Sequence, residues 1–206
     1  MTAIIDYGVG NLFSLQRSFE AIGQNARVTA DPEEILSAER IVLPGVGAFG
    51  DAAAKLRDTG LDRTVREAAA AGKPLLGICL GMQLLFERSY EYGIHEGLGL
   101  IQGEVRAIRE VIPDGLKIPH MGWNPLIFKG GSSPLFRYIR EYDSVYFVHS
   151  FAAFGCGDAL IATAEYGSEL TAAVARGNVF GTQFHPEKSG PVGLNILKAF
   201  CEFQEV

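Results

Sequence analysis

The sequence predicts an α/β fold with a mostly parallel central sheet flanked by helices and an antiparallel strand extension in the second half. Two patterns predict it. In the first half, short apolar runs alternate with segments of helical spacing, which is typical of parallel strands joined by helices. In the second half, strand-like runs follow one another with few helices between them, so some of these strands should pair antiparallel.

The elements of the first half follow from the spacing of apolar residues. Leu12, Leu15, Phe19 and Ile22 recur near helical spacing, and the continuous apolar run before Cys79 indicates a buried strand. The predicted strands are 2–6, 25–29, 40–43 and 74–79, and the predicted helices are 11–22, 51–56, 61–71 and 80–90.

The second half is predicted to be rich in strands and to close with one helix. The predicted strands are 99–109, 117–121, 144–149, 160–165, 171–176 and 179–184, and the last helix covers 193–203. In sheets of this type, binding sites form beyond the C-terminal ends of the parallel strands.

Length and composition fit one globular domain over residues 1–206. A chain of 206 residues can bury about 70% of its unfolded surface, so it needs no disulfide or metal for stability. The net charge of -6 and the lack of a lysine or arginine cluster argue against nucleic acid. The apolar runs are too short to span a membrane, and the start MTAIIDYGVGN lacks the basic leader of a signal peptide.

Three cysteines, Cys79, Cys156 and Cys201, lie far apart and form no C-x-x-C pair. Their odd number and spacing argue against a disulfide framework and a zinc site. We therefore expect a reducing, cytoplasmic setting and no metal or cofactor.

Cys79 has the sequence context of a nucleophile. The segment Gly77-Ile78-Cys79-Leu80-Gly81 joins a buried strand to a helix and matches the nucleophile-elbow pattern G-x-nucleophile-x-G. The N-terminal dipole of the following helix should favour the thiolate. The alternative is a buried structural cysteine, which is how we interpret Cys156 and Cys201.

His185 and Glu187 can supply the base and its orienting carboxylate. In an extended segment, positions two apart face the same side. A cysteine nucleophile needs a base, and the base needs a carboxylate to fix its tautomer. The alternatives are a solvated histidine in a surface turn, or one of the other histidines, His95, His120 and His149, as the base.

Backbone amides should bind the oxyanion that acyl transfer creates. One expected donor is the amide of Leu80, directly after the nucleophile. The second is expected from the glycine-rich stretch 43–50, at Val46 or Gly47, where glycines let the backbone approach a ligand. The alternative is a plain loop between a strand and a helix.

Together these segments resemble the class I (triad) glutamine amidotransferase family. The matching pieces are P-G-V-G at 44–47, G-I-C-L-G-M-Q at 77–83 and F-H-P-E at 184–187. The resemblance implies a flavodoxin-like glutaminase fold with Cys79 as nucleophile, His185 as base and Glu187 as its orienter. Further segments, D-Y-G-V-G-N at 6–11, P-H-M-G-W-N at 119–124 and H-P-E-K-S at 185–189, are similar to the glutaminase subunits of imidazole glycerol phosphate synthases.

The resemblance also implies the substrate contacts. Gly47, Gln83 and Glu91 should bind glutamine, with Glu91 holding its ammonium group. The backbone at His149, Ser150 and Phe151 should help, and Phe151 stands where the family often has a tyrosine, so no hydroxyl is available there.

The resemblance implies a heterodimer with a (βα)8-barrel cyclase that receives the ammonia. Pro119, Met121 and Trp123 are then expected at the interface, since exposed apolar residues are unusual on a monomer, with Asn11 and Lys188 as polar contacts. The alternative is that the three apolar residues pack in the core.

Three other functions fit parts of the sequence. The chain could serve another amidotransferase pathway, act as a peptidase-like acyl-cysteine hydrolase, or be a non-catalytic flavodoxin-like binding domain. Gln83, the P-G-V-G segment and H-P-E argue against the hydrolase, and the complete triad argues against the binding domain.

Overall fold

An eight-stranded mixed sheet organises the structure, a computed structural model that describes residues 1–131 and 133–204. Its strand order is β2-β1-β3-β4-β14-β13-β12-β9, and two smaller sheets, β10-β8 and β11-β7-β5-β6, pack beside it. The strands of the large sheet are β1 (Thr2–Ile5), β2 (Ala26–Thr29), β3 (Arg40–Leu43), β4 (Leu75–Ile78), β9 (Ile127–Phe128), β12 (Leu160–Glu165), β13 (Glu169–Arg176) and β14 (Val179–Thr182). Those of the smaller sheets are β5 (Arg88–Ser89), β6 (His95–Glu96), β7 (Glu104–Ala107), β8 (His120–Pro125), β10 (Ser144–His149) and β11 (Phe151–Phe154).

The predicted fold class is confirmed. Strands β2, β1, β3, β4 and β14 pair parallel, and β13, β12 and β9 extend them antiparallel. The helices are α1 (Leu12–Ala21), α2 (Pro32–Ser37), α3 (Phe49–Asp58), α4 (Leu61–Ala70), α5 (Leu80–Leu84) and α6 (Gly190–Glu202). Separate groups of buried apolar residues lie on the two faces of the sheet, as a parallel sheet requires.

Among the described α-helices, α2 is the one that the apolar pattern missed. It has only six residues and one buried apolar side chain, Ile35, so no periodicity could reveal it. Its start was nevertheless encoded, because the Asp31 side chain accepts a hydrogen bond from Glu33 N and Pro32 occupies the first turn.

The prediction of a helix over 80–90 is wrong, because α5 ends at Leu84. The chain at 98–101 donates backbone hydrogen bonds to the carbonyls of Leu84 and Leu85, which a longer helix would have used itself. A short α5 also contributes less dipole to Cys79 than a long helix would.

Several strand boundaries in the second half differ from those predicted. Strand β7 covers only part of 99–109, and β8 begins at His120 instead of 117. The register of β8 against β10 pairs His120 with His149, and Pro119 before it has no N–H to donate to the ladder. Strands β5, β6, β9 and β11 were not predicted, whereas β10 and β12 have the predicted bounds.

Within the described residues, no helix has the length and apolar character needed to cross a membrane.

We predict that Gly81→Ala destabilises the protein far more than Gly60→Ala. A Cβ at Gly81 would lie 1.8 Å from the Leu43 carbonyl oxygen, whereas a Cβ at Gly60 would meet nothing within 4 Å and suffers only from its positive φ. The expected losses in free energy of unfolding are about 3 kcal/mol for Gly81 and about 1 kcal/mol for Gly60. Urea denaturation measures both, and equal losses would contradict the close packing of α5 on β3.

Candidate active site

Cys79 sits in a strained turn between β4 and α5. Its φ of +54° is a conformation that non-glycine residues rarely adopt, as the elbow pattern predicts. The Cys79 amide donates to the Thr182 carbonyl of β14 at 2.7 Å, which ties the turn to the neighbouring strand. Gly77 and Gly81 permit the turn, because a Cβ on Gly77 would lie 2.7 Å from the Gly81 carbonyl oxygen.

His185 and Glu187 form a buried pair at the end of β14. His185 Nδ1 lies 2.7 Å from Glu187 Oε1, and both side chains are almost fully buried. Nε2 of the ring remains available for Cys79, which lines the same cavity. Burial lowers the pKa of His185, but the hydrogen bonds to Cys79 and Glu187 and their negative charges outweigh it and raise the pKa to about 9.

This raised pKa keeps an imidazolium beside the sulfur at neutral pH. Cys79, His185 and Glu187 thus have the residue types and the order that a nucleophile, its base and an orienting carboxylate would require.

The other three histidines occupy different environments. His120 and His149 form a buried pair, in which His149 Nδ1–H donates to the Phe151 carbonyl at 2.8 Å and His149 Nε2 lies 3.0 Å from His120 Nδ1. Burial and the charges of His120 and His185 lower the pKa of His149 to about 3, although its bond to Phe151 opposes this. His95 packs against Gly50 at the start of α3. The pairing of Glu187 with His185 thus singles out one histidine of the four.

The predicted oxyanion segment borders the same cavity as Cys79. Val46 is 43% exposed, Gly47 has a φ of +94°, and both line this cavity together with Leu80. Leu80 begins α5, so its amide has no acceptor within the helix. The Tyr7 hydroxyl donates to the Pro44 carbonyl at 2.7 Å and thereby holds the start of the segment.

A cavity of about 340 Å³ opens above Cys79 and His185. All of the predicted substrate residues line it, namely Gly47, Gln83, Glu91, His149, Ser150 and Phe151. Its volume is ample for an amino acid. The structure therefore brings together residues that are far apart in the sequence.

Glu91 is anchored by the N-terminus of α3. Its Oε2 accepts a hydrogen bond from Phe49 N at 2.7 Å, and the residue is buried. Burial raises the pKa of Glu91, while the bond from Phe49 and the charge of His95 lower it. One carboxylate oxygen is thus fixed by the protein, and the carboxylate as a whole borders the cavity.

The apolar residues expected at an interface are exposed. Met121 is 60% and Trp123 55% exposed, and Pro119 is exposed beside them, so packing of these three in the core is excluded. Lys188 is exposed as well, with Nζ 6.0 Å from the ring centroid of Tyr146. Pro119 and Lys188 also line the cavity, so this surface adjoins its mouth.

Asn11 is exposed and caps α1, accepting a hydrogen bond from Ser14 N at 3.4 Å. Its loop approaches the oxyanion segment, because a Cβ on the preceding Gly10 would lie 3.3 Å from Pro44 Cβ.

Two residues of the site were missed in the sequence. Gln183 Nε2 lies 3.8 Å from Cys79 Sγ, and burial together with the negative charge of Cys79 raises the pKa of Tyr7. For Gln183 a signal was present, because it lies two positions before His185 and so faces the same side of an extended segment. Tyr7 precedes a glycine-rich loop and carried no comparable signal.

Groups of three or more histidine, cysteine, aspartate or glutamate side chains able to hold a metal were not found among residues 1–131 and 133–204.

Known proteins resemble this chain over nearly its whole length. The family described as "Glutamine amidotransferase class-I" matches residues 3–202. The chain is 50% identical to imidazole glycerol phosphate synthase subunit HisH of Lactococcus lactis, over 97% of this chain and 96% of that protein. It is 49% identical to the HisH subunit of Geobacillus sp., over 100% of this chain and 98% of that protein.

A solved structure shows the same fold. PurLQS from Thermotoga maritima superposes with a TM-score of 0.76 at 23% identity, covering 97% of this chain and 96% of that one. The family match over nearly the whole chain and the identity to full-length relatives establish that this protein belongs to the class-I glutamine amidotransferase family.

Proposed function

We propose that this protein is the glutaminase subunit of an imidazole glycerol phosphate synthase. It hydrolyses glutamine to glutamate and ammonia and delivers the ammonia to a cyclase subunit. The observation that carries the proposal is the buried ion pair of His185 and Glu187 beside Cys79, at the bottom of a cavity of amino-acid size. The HisH relatives supply the pathway, histidine biosynthesis, and residues 1–206 would form one glutaminase domain.

The triad performs the reaction in two steps. The Cys79 thiolate attacks the side-chain amide carbon of glutamine, and the His185 imidazolium gives its proton to the leaving nitrogen, which departs as ammonia. The neutral His185 then takes a proton from water, which attacks the thioester and releases glutamate. Glu187 keeps Nε2 of the ring directed at the sulfur and stabilises the imidazolium.

Residues of the cavity wall would bind the substrate and stabilise the negative charge that develops on its amide oxygen. Amides of Leu80 and of Val46 or Gly47 would hold the oxyanion, and support comes from both segments lining the cavity with Cys79. Glu91 offers a carboxylate to the substrate ammonium group. Gln83 and the backbone of β10 and β11 at 149–151 contact the rest of the amino acid.

The partner we propose is a (βα)8-barrel cyclase that docks on the exposed surface of Pro119, Met121, Trp123 and Lys188, with Asn11 as a further polar contact. Support comes from the position of this surface at the cavity mouth. A docked partner would cover the cavity and receive ammonia before water protonates it. The complex would act in the cytoplasm and form imidazole glycerol phosphate and an aminoimidazole carboxamide ribonucleotide.

The direct test is release of ammonia from glutamine, with and without a cyclase and its nucleotide substrate. A peptidase-like hydrolase would cleave peptides and ignore glutamine. A binding domain would release no ammonia under any condition.

We predict that Cys79→Ala abolishes glutamine hydrolysis while the fold and ammonium-dependent synthesis by the complex persist. The substitution removes the nucleophile and leaves the acceptor site of the cyclase intact. Cys156→Ala is the matched control, because Cys156 is equally buried but contacts Thr171 at 3.7 Å, away from the cavity. Glutamine-dependent activity in Cys79→Ala above a reaction without enzyme would exclude Cys79 as the nucleophile.

We predict that Glu187→Gln reduces kcat/KM less than His185→Ala, for which the loss should be about 10²–10⁴-fold. The pH dependence of the activity shows the direction in which Glu187 shifts the pKa of His185. The negative charge of Glu187 helps to raise the pKa of His185 to about 9, so the activity of the wild type should fall as the pH rises through about 9. Without that charge, the basic limb of the Glu187→Gln profile should lie at lower pH. An unmoved limb would show that Glu187 does not act on His185.

We predict that the cyclase and its nucleotide accelerate glutamine hydrolysis about tenfold or more, as completion of an oxyanion hole would. Asn11→Ala should weaken this acceleration more than glutamine binding, because the Asn11 loop packs on Pro44. Asp31→Ala is the control, since it also removes a helix cap, on α2. A free chain as fast as the complex would contradict this coupling.

A further inference from the structure

Two buried side-chain amides connect the substrate wall to the nucleophile. Gln183 is fully buried directly after β14, and its Nε2 points at Cys79 Sγ from 3.8 Å. Gln83 Nε2 donates to Gln183 Oε1 at 2.9 Å and to the Phe151 carbonyl at 3.0 Å. The three contacts form an unbroken chain from the backbone of β11 to the sulfur.

The Phe151 carbonyl fixes the orientation of both amides. A backbone carbonyl only accepts hydrogen bonds, so Gln83 must turn its NH₂ group toward Phe151. The same NH₂ group then requires an acceptor on Gln183, which sets Oε1 there. The remaining atom of the Gln183 amide is nitrogen, and it faces Cys79. The N–H donor at the sulfur is therefore imposed by backbone geometry.

We propose that Gln183 is a further active-site residue, which donates a hydrogen bond to the Cys79 thiolate and stabilises it from the side away from the oxyanion segment. The proposal rests on the proposed role of Cys79 as the nucleophile. Neither the triad nor the oxyanion amides include this residue.

A hydrogen-bond donor beside the sulfur of Cys79 acts mainly when the sulfur is negatively charged. A thiolate is a much better acceptor than a thiol, so the contact strengthens when the proton of Cys79 moves to His185. The bond weakens again when sulfur attacks the substrate carbon and becomes a thioester. Gln183 therefore increases the amount of resting thiolate, at some cost in the reactivity of each thiolate.

Other groups around Cys79 also influence its ionisation. His185 is an imidazolium beside the sulfur, and Tyr7, whose pKa is raised by burial and by the charge of Cys79, stays neutral. Glu91 and Lys188 border the cavity with opposite charges. These groups are unchanged when Gln183 is replaced, so a difference between variants reports on the amide.

The test is the rate at which iodoacetamide alkylates Cys79 as a function of pH, followed by peptide mass spectrometry. The reagent consumes thiolate and needs no glutamine. In Gln183→Met, which keeps the volume but lacks the donor, the midpoint of the curve should rise by about one pH unit. At pH values below the midpoint, such a shift makes the alkylation of Cys79 about tenfold slower.

Matched variants separate this effect from loss of structure. Gln16→Met, on α1, also removes a glutamine hydrogen bond, from Nε2 to the Ala26 carbonyl of β2, and should leave the curve unchanged. Gln83→Met frees Gln183 to rotate and should give an intermediate shift. If Gln183→Met does not fold, the isosteric Gln183→Glu replaces it and should raise the midpoint further, because it places a carboxylate at the sulfur.

A folded Gln183→Met or Gln183→Glu protein with the midpoint of the wild type would overturn the proposal, and so would an equal shift in Gln16→Met. Failure of the proposed function looks different. In that case the wild type would release no ammonia from glutamine, whatever the alkylation curves show.

Discussion

The parallel pairing of β4 with β14 is the constraint on which the site depends. It places Ile78 opposite Thr182, and the amide of Cys79 donates to the Thr182 carbonyl at 2.7 Å. The chain leaves both strands at the same edge, one turning into α5 and the other running on through Gln183 to His185. Cys79 and His185, the proposed nucleophile and base, therefore meet although more than half of the chain separates them.

Close packing around Cys79 holds the neighbouring segments in a fixed arrangement. A Cβ on Gly45 would lie 2.8 Å from both the Gly81 nitrogen and the Tyr7 hydroxyl oxygen, so β3, the oxyanion segment and α5 approach as bare backbone. The same approach lets Tyr7 hold Pro44. Since protein interiors transmit small displacements, a change in the loop at 8–11 would reach the oxyanion segment through a single layer of contacts.

Charges and hydrogen bonds set the protonation states of the buried histidines and the orientation of the buried glutamine side chains. The carboxylate of Glu187 and the sulfur of Cys79 together overcome the cost of burying a charged His185. His149, also buried, has no carboxylate beside its ring and is kept neutral, so two histidines of similar burial have opposite protonation states. The neutral one is used to hold the Phe151 carbonyl, which in turn orients Gln83 and Gln183.

Much of the fold could be predicted from sequence, because parallel strands buried on both faces leave continuous apolar runs. Strand β3, which pairs parallel on both sides, has the predicted bounds for this reason. Predictions failed where contacts with distant segments, and not the local sequence, set the ends of an element. Helix α5 stops at Leu84 because a distant segment takes its carbonyls, and β8 begins where β10 pairs with it.

For the site, the sequence by itself determined the residue types that carry chemistry. The elbow around Cys79 and the His-x-Glu spacing are local patterns whose physical meaning needs no partner strand. Only the tertiary structure decided which of four histidines faces the sulfur, and that Gln183 presents nitrogen to it. The choice of histidine follows from strand order, and the orientation of the amide follows from a carbonyl 32 positions away in the chain, Phe151. Such relations come from packing between elements, which no local sequence pattern records.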